Sequence, residues 1–289
     1  MYYGMIIASA VLLAGSFACN KQYQAKNGAA MPSSFLYAAL VSVFTLVPLL
    51  IWQGFRIEAS GFAWAMAAIY ATCCTVYQVL GFVIMKGSSL ALYTLFLMSG
   101  GMILPYVWGL IFWGEPFSVF RTVGLLLILA AVLLSSSDGI HLGPKQLALC
   151  VAVFVLNGFV SISGKYNQAS PDKGASTIDF MILTNLVRVM LVAIVLLVLA
   201  RKKEGRPTAI IKRPHTWWLT LGAAVIGIAS SWLQLHSASH LPATVLYPFH
   251  TGGAIAFTAL AGLVFFRERI SPRSWASIGC CLVGTCLFL

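Results

Sequence analysis

The chain has 289 residues, of which 60% are hydrophobic and only 9% charged, with a formal net charge of +11 and a mean hydropathy of +0.91. Soluble domains carry roughly 25% charged residues, so this chain cannot cover a water-facing surface, and a soluble globular fold is excluded. Membrane barrels are excluded too, because their strands read as ~10-residue alternating segments. Here uncharged runs such as 27–55, 59–85, 87–114 and 214–266 dominate, and about 20 apolar residues make one bilayer-spanning helix. The fold class is therefore all-α integral membrane protein, multi-pass, in the cell membrane.

Taken in order, the predicted spans are 3–24, 33–54, 62–85, 88–113, 119–137, 146–168, 176–200, 216–238, 242–266 and 271–289. The first lacks a positively charged start and a small-residue cleavage site, so it reads as a span and not as a removed signal. Ser118, and Ser271 followed by Pro272, are helix-start signals for the fifth and tenth spans. Pro105 and Pro248 fall inside the fourth and ninth, where each removes a backbone hydrogen bond, to Gly101 and Thr244 respectively. The seven cysteines all lie in apolar segments without metal-ligand spacing and act as small hydrophobes. Six of the basic residues cluster at 201–213. That loop is short and not interleaved with aromatics, which argues against nucleic acid and for a surface facing anionic membrane lipid. The positive-inside rule then places the loop in the cytoplasm and both termini outside.

The chain is self-similar. Shifted by 153 residues, segment 87–118 overlies 240–271, pairing Phe96 with Phe249, Gly100 with Gly253, Glu115 with Glu268 and Ser118 with Ser271. A shift of 144 lays 11–25 over 155–169 and pairs Lys21 with Lys165. Five spans per half is an odd number, so the second half enters the membrane upside down. About ten transmembrane helices thus form two inverted five-helix repeats, residues 1–138 and 144–289, the arrangement whose transport site lies at the midplane between repeats.

The segments FWGEPFSVFRTVG at 112–124 and FFRERISPRSWAS at 265–277 carry a resemblance to the drug/metabolite transporter superfamily, in its ten-helix EamA-like branch. Each resembles the family's segment in which helix four or nine ends in an apolar-(Gly)-Glu and a Ser opens the next helix. The resemblance spans essentially the whole chain. It implies a ten-helix basket with a central cavity lined by helices one, three, four, six, eight and nine, and transport by alternating access. It also implies both termini in the cytoplasm, opposite to the charge bias. Two departures stand out: Gly114 is replaced by Arg267 in the second copy, and the first helix lacks the acid with which the small multidrug-resistance relatives bind cations and protons.

The polar residues inside the spans are the candidate substrate-binding residues. Arg188, mid-way along helix seven, costs about 2.5–3.5 kcal/mol in a bilayer centre and must face the interior, while Asp179 lies on the opposite face. Asn157, Ser161, Lys165 and Gln168 share one face of helix six, and Asn20, Lys21 and Gln24 the matching face of helix one; a polar stripe in a span needs a wet or protein-lined side. Trp232 and His236 stand one turn apart on helix eight. Tyr247 and His250 share a face of helix nine. His236 and His240 have the spacing of a metal pair, but Pro242 follows and no third ligand is evident, so neither a metal nor another cofactor is read. Glu115 and Glu268, each beside a helix start, read as structural acids with a nearby Arg as partner.

An enzyme acting on a lipid-linked substrate would need a catalytic cluster, whereas the seven acids are scattered singly. A non-transporting receptor or assembly subunit would not need an inverted repeat. The sequence therefore reads as a non-enzymatic secondary transporter, monomer or homodimer. With Arg188, Lys21 and Lys165 present and no midplane acid, its small-molecule cargo reads as anionic or zwitterionic.

Overall fold

Ten long helices account for nearly all of the computed structural model, which describes residues 1–28, 30–87, 90–135, 143–170, 172–201, 208–266 and 272–288. They are α1 Tyr2–Asn27, α2 Met31–Trp52, α3 Gly61–Gly87, α4 Leu90–Phe112, α5 Val119–Ser135, α6 Pro144–Gln168, α7 Thr177–Arg201, α8 Pro214–Ala238, α9 Ala243–Phe266 and α10 Pro272–Cys286. One further turn of helix covers Thr208–Ile211. No strand occurs among the described residues. Six helices are long and apolar enough to cross a bilayer over their described residues alone: α1, α2, α3, α6, α7 and α8.

Local chemistry explains the boundaries. Pro144 and Pro214 open α6 and α8 at positions where the missing N–H is not needed. Ser118 faces the free amide of Arg121 at the head of α5. Ser176 and Asp179 cap α7 reciprocally, the Asp179 N–H donating to Ser176 Oγ at 3.1 Å and the Ser176 hydroxyl to Asp179 Oδ2 at 2.8 Å. The surface is inverted relative to a soluble protein. Ile111, Leu197 and Val225 are exposed, a pattern that only hydrocarbon accommodates. The polar Ser9, Thr216, Thr220 and Ser237 are fully buried.

Packing pairs the helices across the chain. α1 lies against α8 and α9, and α6 lies against α3 and α4; α2 meets α7, and α5 meets α10. Close approach is bought with small residues, as membrane helices require. At the α5–α10 crossing a Cβ on Gly124 would stand 2.7 Å from the Gly284 carbonyl oxygen, and one on Gly284 2.8 Å from that of Gly124. Because ten traverses alternate, both termini share one side with the α2–α3, α4–α5, α6–α7 and α8–α9 connections. This is the terminal side. Glu268, Ser271 and residues 202–207 lie outside the described residues.

Candidate functional site

The middle of α7 carries Arg188 toward tyrosines of α2 and α3. Its guanidinium lies within electrostatic reach of Tyr37 on α2 and of Tyr70, Cys74 and Tyr77 on α3. Arg188 Nε is buried and has no hydrogen-bond partner, and Gln78 Oε1, one turn beyond Cys74, is likewise buried and unpartnered. Buried polar atoms are ordinarily paired, so an unused donor and an unused acceptor at mid-span set Arg188 and Gln78 apart from the hydrogen-bonded seams around them. Tyr70 also lies within electrostatic reach of Tyr247 of α9, whose hydroxyl donates to the Ser161 carbonyl of α6.

Two polar seams run through the same bundle. On the α4–α6 seam, Asn157 Nδ2 donates to the Leu97 carbonyl at 2.7 Å, and the Ser161 hydroxyl to the Gly101 carbonyl at 3.1 Å. That second acceptor is the carbonyl left free by Pro105, so the polar face of α6 satisfies the kink in α4. On the α1–α8–α9 seam, His250 Nε2 stands 3.2 Å from Ser9 Oγ, and Gln234 Nε2 stands 3.4 Å from His250 Nδ1. Ser9 and Ser230 exchange hydrogen bonds, each hydroxyl donating to the other's carbonyl at 2.8 Å. The amide nitrogen of Gln234 can only donate, so Nδ1 accepts and Nε2 carries the proton of a neutral imidazole.

The eight sequence-predicted residues do not gather in one place. Arg188, Asn157 and His250 sit toward mid-depth, while Tyr247, one turn into α9, lies nearer the terminal side beside Lys165 and Glu115. Lys165 is 7% exposed at the terminal side, donating from Nζ to the Ala238 and Leu241 carbonyls at 2.5 Å each. Trp232 and His236 stack at 5.0 Å and 5° near the same end. Lys21 is at the other end, lining a cleft of about 240 Å³ between α1 and α9 with Phe17, Thr258 and Gly262. The α9 segment from Ala243, beside the turn that Lys165 holds, to Ala261, beside Lys21, separates the two lysines by about 27 Å along that helix at ~1.5 Å per residue, so they cannot hold one small ligand together. The predicted arginine partner of Glu115 is replaced by backbone: its carboxylate accepts the Ala243 and Thr244 N–H groups at 2.7 and 2.8 Å. The sequence reading missed the tyrosines around Arg188, although Tyr70, Cys74 and Tyr77 recur at helical spacing. It also missed Ser9, Ser230 and Gln234, which carry no signal apart from their partners. Among the described residues no three His, Cys, Asp or Glu side chains come together as metal ligands.

A lipid-facing ten-helix bundle with a polar interior defines a multi-pass membrane protein. The EamA-like transporter family model matches residues 146–289, and the chain belongs to that family of the drug/metabolite transporter superfamily and to the cell membrane. It is similar to a probable 4-amino-4-deoxy-L-arabinose-phosphoundecaprenol flippase subunit ArnE of Hamiltonella defensa subsp. Acyrthosiphon pisum, at 37% identity over 79 residues, which are 26% of this chain and 67% of that protein. Its fold resembles that of a protein of known crystal structure with a TM-score of 0.73 at 16% identity, over 99% of this chain and 95% of the other.

Proposed function

We propose that this protein moves a small anionic or zwitterionic solute by alternating access between two inverted halves, residues 1–138 and 144–289, with Arg188 as the central charge of the solute site. The packing supports the two halves, since exchanging them maps α1 against α8 and α9 onto α6 against α3 and α4. The match extends to residues. Gly100 of α4 abuts Phe154 of α6, and its counterpart Gly253 of α9 abuts Ala10 of α1, where Ala10 stands 144 positions before Phe154 as in the sequence repeat.

The observation that carries the solute class is the unpartnered Nε of Arg188 at mid-span. A guanidinium presents donors in a fixed fork that fits a carboxylate or phosphate oxygen pair, and the neighbouring tyrosines supply flat apolar faces. The expected outcome, in liposomes containing the purified protein, is uptake of carboxylate and phosphate solutes that Arg188→Ala abolishes while insertion is retained. Unchanged uptake of every tested anion by Arg188→Ala would refute this site.

A second reading is a lipid-linked cargo. It draws on the flippase relative and on the cleft between α1 and α9, whose edge carries Lys21. Translocation of a fluorescent lipid phosphate between leaflets, with no flux of soluble anions, would favour it.

A further inference from the structure

The turn between α8 and α9, residues 239–242, is fastened to three other elements. From α6, the Lys165 ammonium donates to the Ala238 and Leu241 carbonyls at 2.5 Å each. From the α4–α5 connection, Glu115 Oε1 accepts the Ala243 N–H at 2.7 Å and Oε2 the Thr244 N–H at 2.8 Å. From the start of α1, the Tyr2 ring stacks on His240 at 4.2 Å and 14°. The last carbonyls and first amides of helices have no partner within their own helix. Here a cation takes the Ala238 carbonyl that ends α8, together with the Leu241 carbonyl of the turn, and an anion takes the amides that open α9, each the sign its helix end favours. The two charges also lie within electrostatic reach of each other, so neither is buried uncompensated.

The Glu115 and Tyr2 ties cross between the two halves of the chain, whereas the Lys165 ties stay within the second. Glu115 and Tyr2 come from the first, while Lys165 and the turn belong to the second. Around them lies the largest buried apolar cluster among the described residues, which joins Ile6, Tyr106, Leu125, Ala238, Ala243 and Leu246. Opening a path on the terminal side means parting these surfaces. Parted apolar surface is costly to hydrate, but a carboxylate, an ammonium and four backbone groups regain partners from water. A seal made of charge-to-backbone ties can therefore break and re-form with little net change, as a repeated cycle requires.

We propose that Glu115 and Lys165 form a charge clasp on the α8–α9 turn that holds the terminal side of the transport path shut, and that its release is a step of the cycle. This rests on the alternating-access reading above. Hydrogen exchange of the intact protein in lipid tests it, with Glu115→Gln, Lys165→Met, the charge-retaining Lys165→Arg, and Glu58→Gln at an exposed terminal-side acid as control. Expected are at least about tenfold faster exchange over 239–247 in the Gln and Met variants, none in Glu58→Gln, partial rescue in Lys165→Arg, and unchanged exchange across α2 and α7. An increase spread evenly over all helices would make the pair merely structural and overturn the clasp, as would wild-type exchange over 239–247 in both variants. Solute flux by the wild type is measured alongside. Local opening in the variants without any flux in the wild type would overturn the transport reading beneath the clasp, whereas flux with unaltered exchange would overturn the clasp alone.

Discussion

Replacing Gly100 by alanine drives a methyl into the backbone of Phe154, whose Cα and carbonyl carbon would stand 2.7 Å away and its oxygen closer still. Backbone cannot turn aside as a side chain can, so α4 must retreat from α6 by about 1 Å to reach ordinary contact. That retreat stretches the 2.7 Å bond from Asn157 to the Leu97 carbonyl and the 3.1 Å bond from Ser161 to the Gly101 carbonyl beyond useful range. Gly101 has no alternative, because Pro105 removed its helical donor. Two lost hydrogen bonds cost about 1 kcal/mol each and overpacking about 1–3 kcal/mol, against about 1 kcal/mol gained in helix propensity. The net loss is about 2–4 kcal/mol. The repeat-related Gly253→Ala is a different case, since its methyl would crowd the Ala10 side chain at 3.2 Å and meet Phe257 only at an ordinary 3.9 Å, and the propensity gain roughly offsets that crowding. In a thermal unfolding assay of purified protein, at about 2–4 °C per kcal/mol, Gly100→Ala lowers the apparent Tm by about 5 °C or more and Gly253→Ala by less than about 3 °C. Equal losses, or a larger one for Gly253→Ala, would refute the assignment of the α4–α6 seam as the tighter crossing.

Arg188→Met should abolish anion flux yet raise the apparent Tm, because a mid-span guanidinium costs about 2.5–3.5 kcal/mol that a thioether does not; a fall in Tm would mean that Arg188 is a structural tie. Asn167→Ala severs both bonds to the Ala175 backbone, each 3.0 Å, and should cost about 1–3 kcal/mol and speed proteolysis within the α6–α7 connection; unchanged cleavage there would count against it. Ser9→Ala and His250→Leu should be non-additive in stability by about 0.5–3 kcal/mol, since each leaves the other's partner unsatisfied; simple additivity would show that the 3.2 Å contact contributes nothing.

Much of the architecture was legible in the chain. Each of the ten helices begins and ends within about three residues of its predicted span, because a bilayer demands continuous apolar helix and because Ser118, Pro144 and Pro214 mark starts through local chemistry. The polar stripe on α6 was legible as a face that must not meet lipid, and its Asn157 and Ser161 are indeed spent on α4. Arg188 was legible as an interior charge for the same reason.

Partnership was not legible. Glu115 could be recognised as a helix-end acid, but its donors belong to Ala243 and Thr244, far along the chain, and backbone amides leave no mark in sequence. Lys21 and Lys165 match as repeat partners, while only the packing decides that one lies in a cleft and the other on a turn about 27 Å away. His250 could not announce Ser9 or Gln234. The physical reason lies in the solvent. Lipid is as apolar as leucine, so hydropathy states that a segment spans and says nothing about which span lies beside it. Composition, periodicity and capping determined ten helices and their ends. Neighbours were decided by close approach at positions such as Gly100, Gly124 and Gly284, and by polar groups that find partners only once those helices meet.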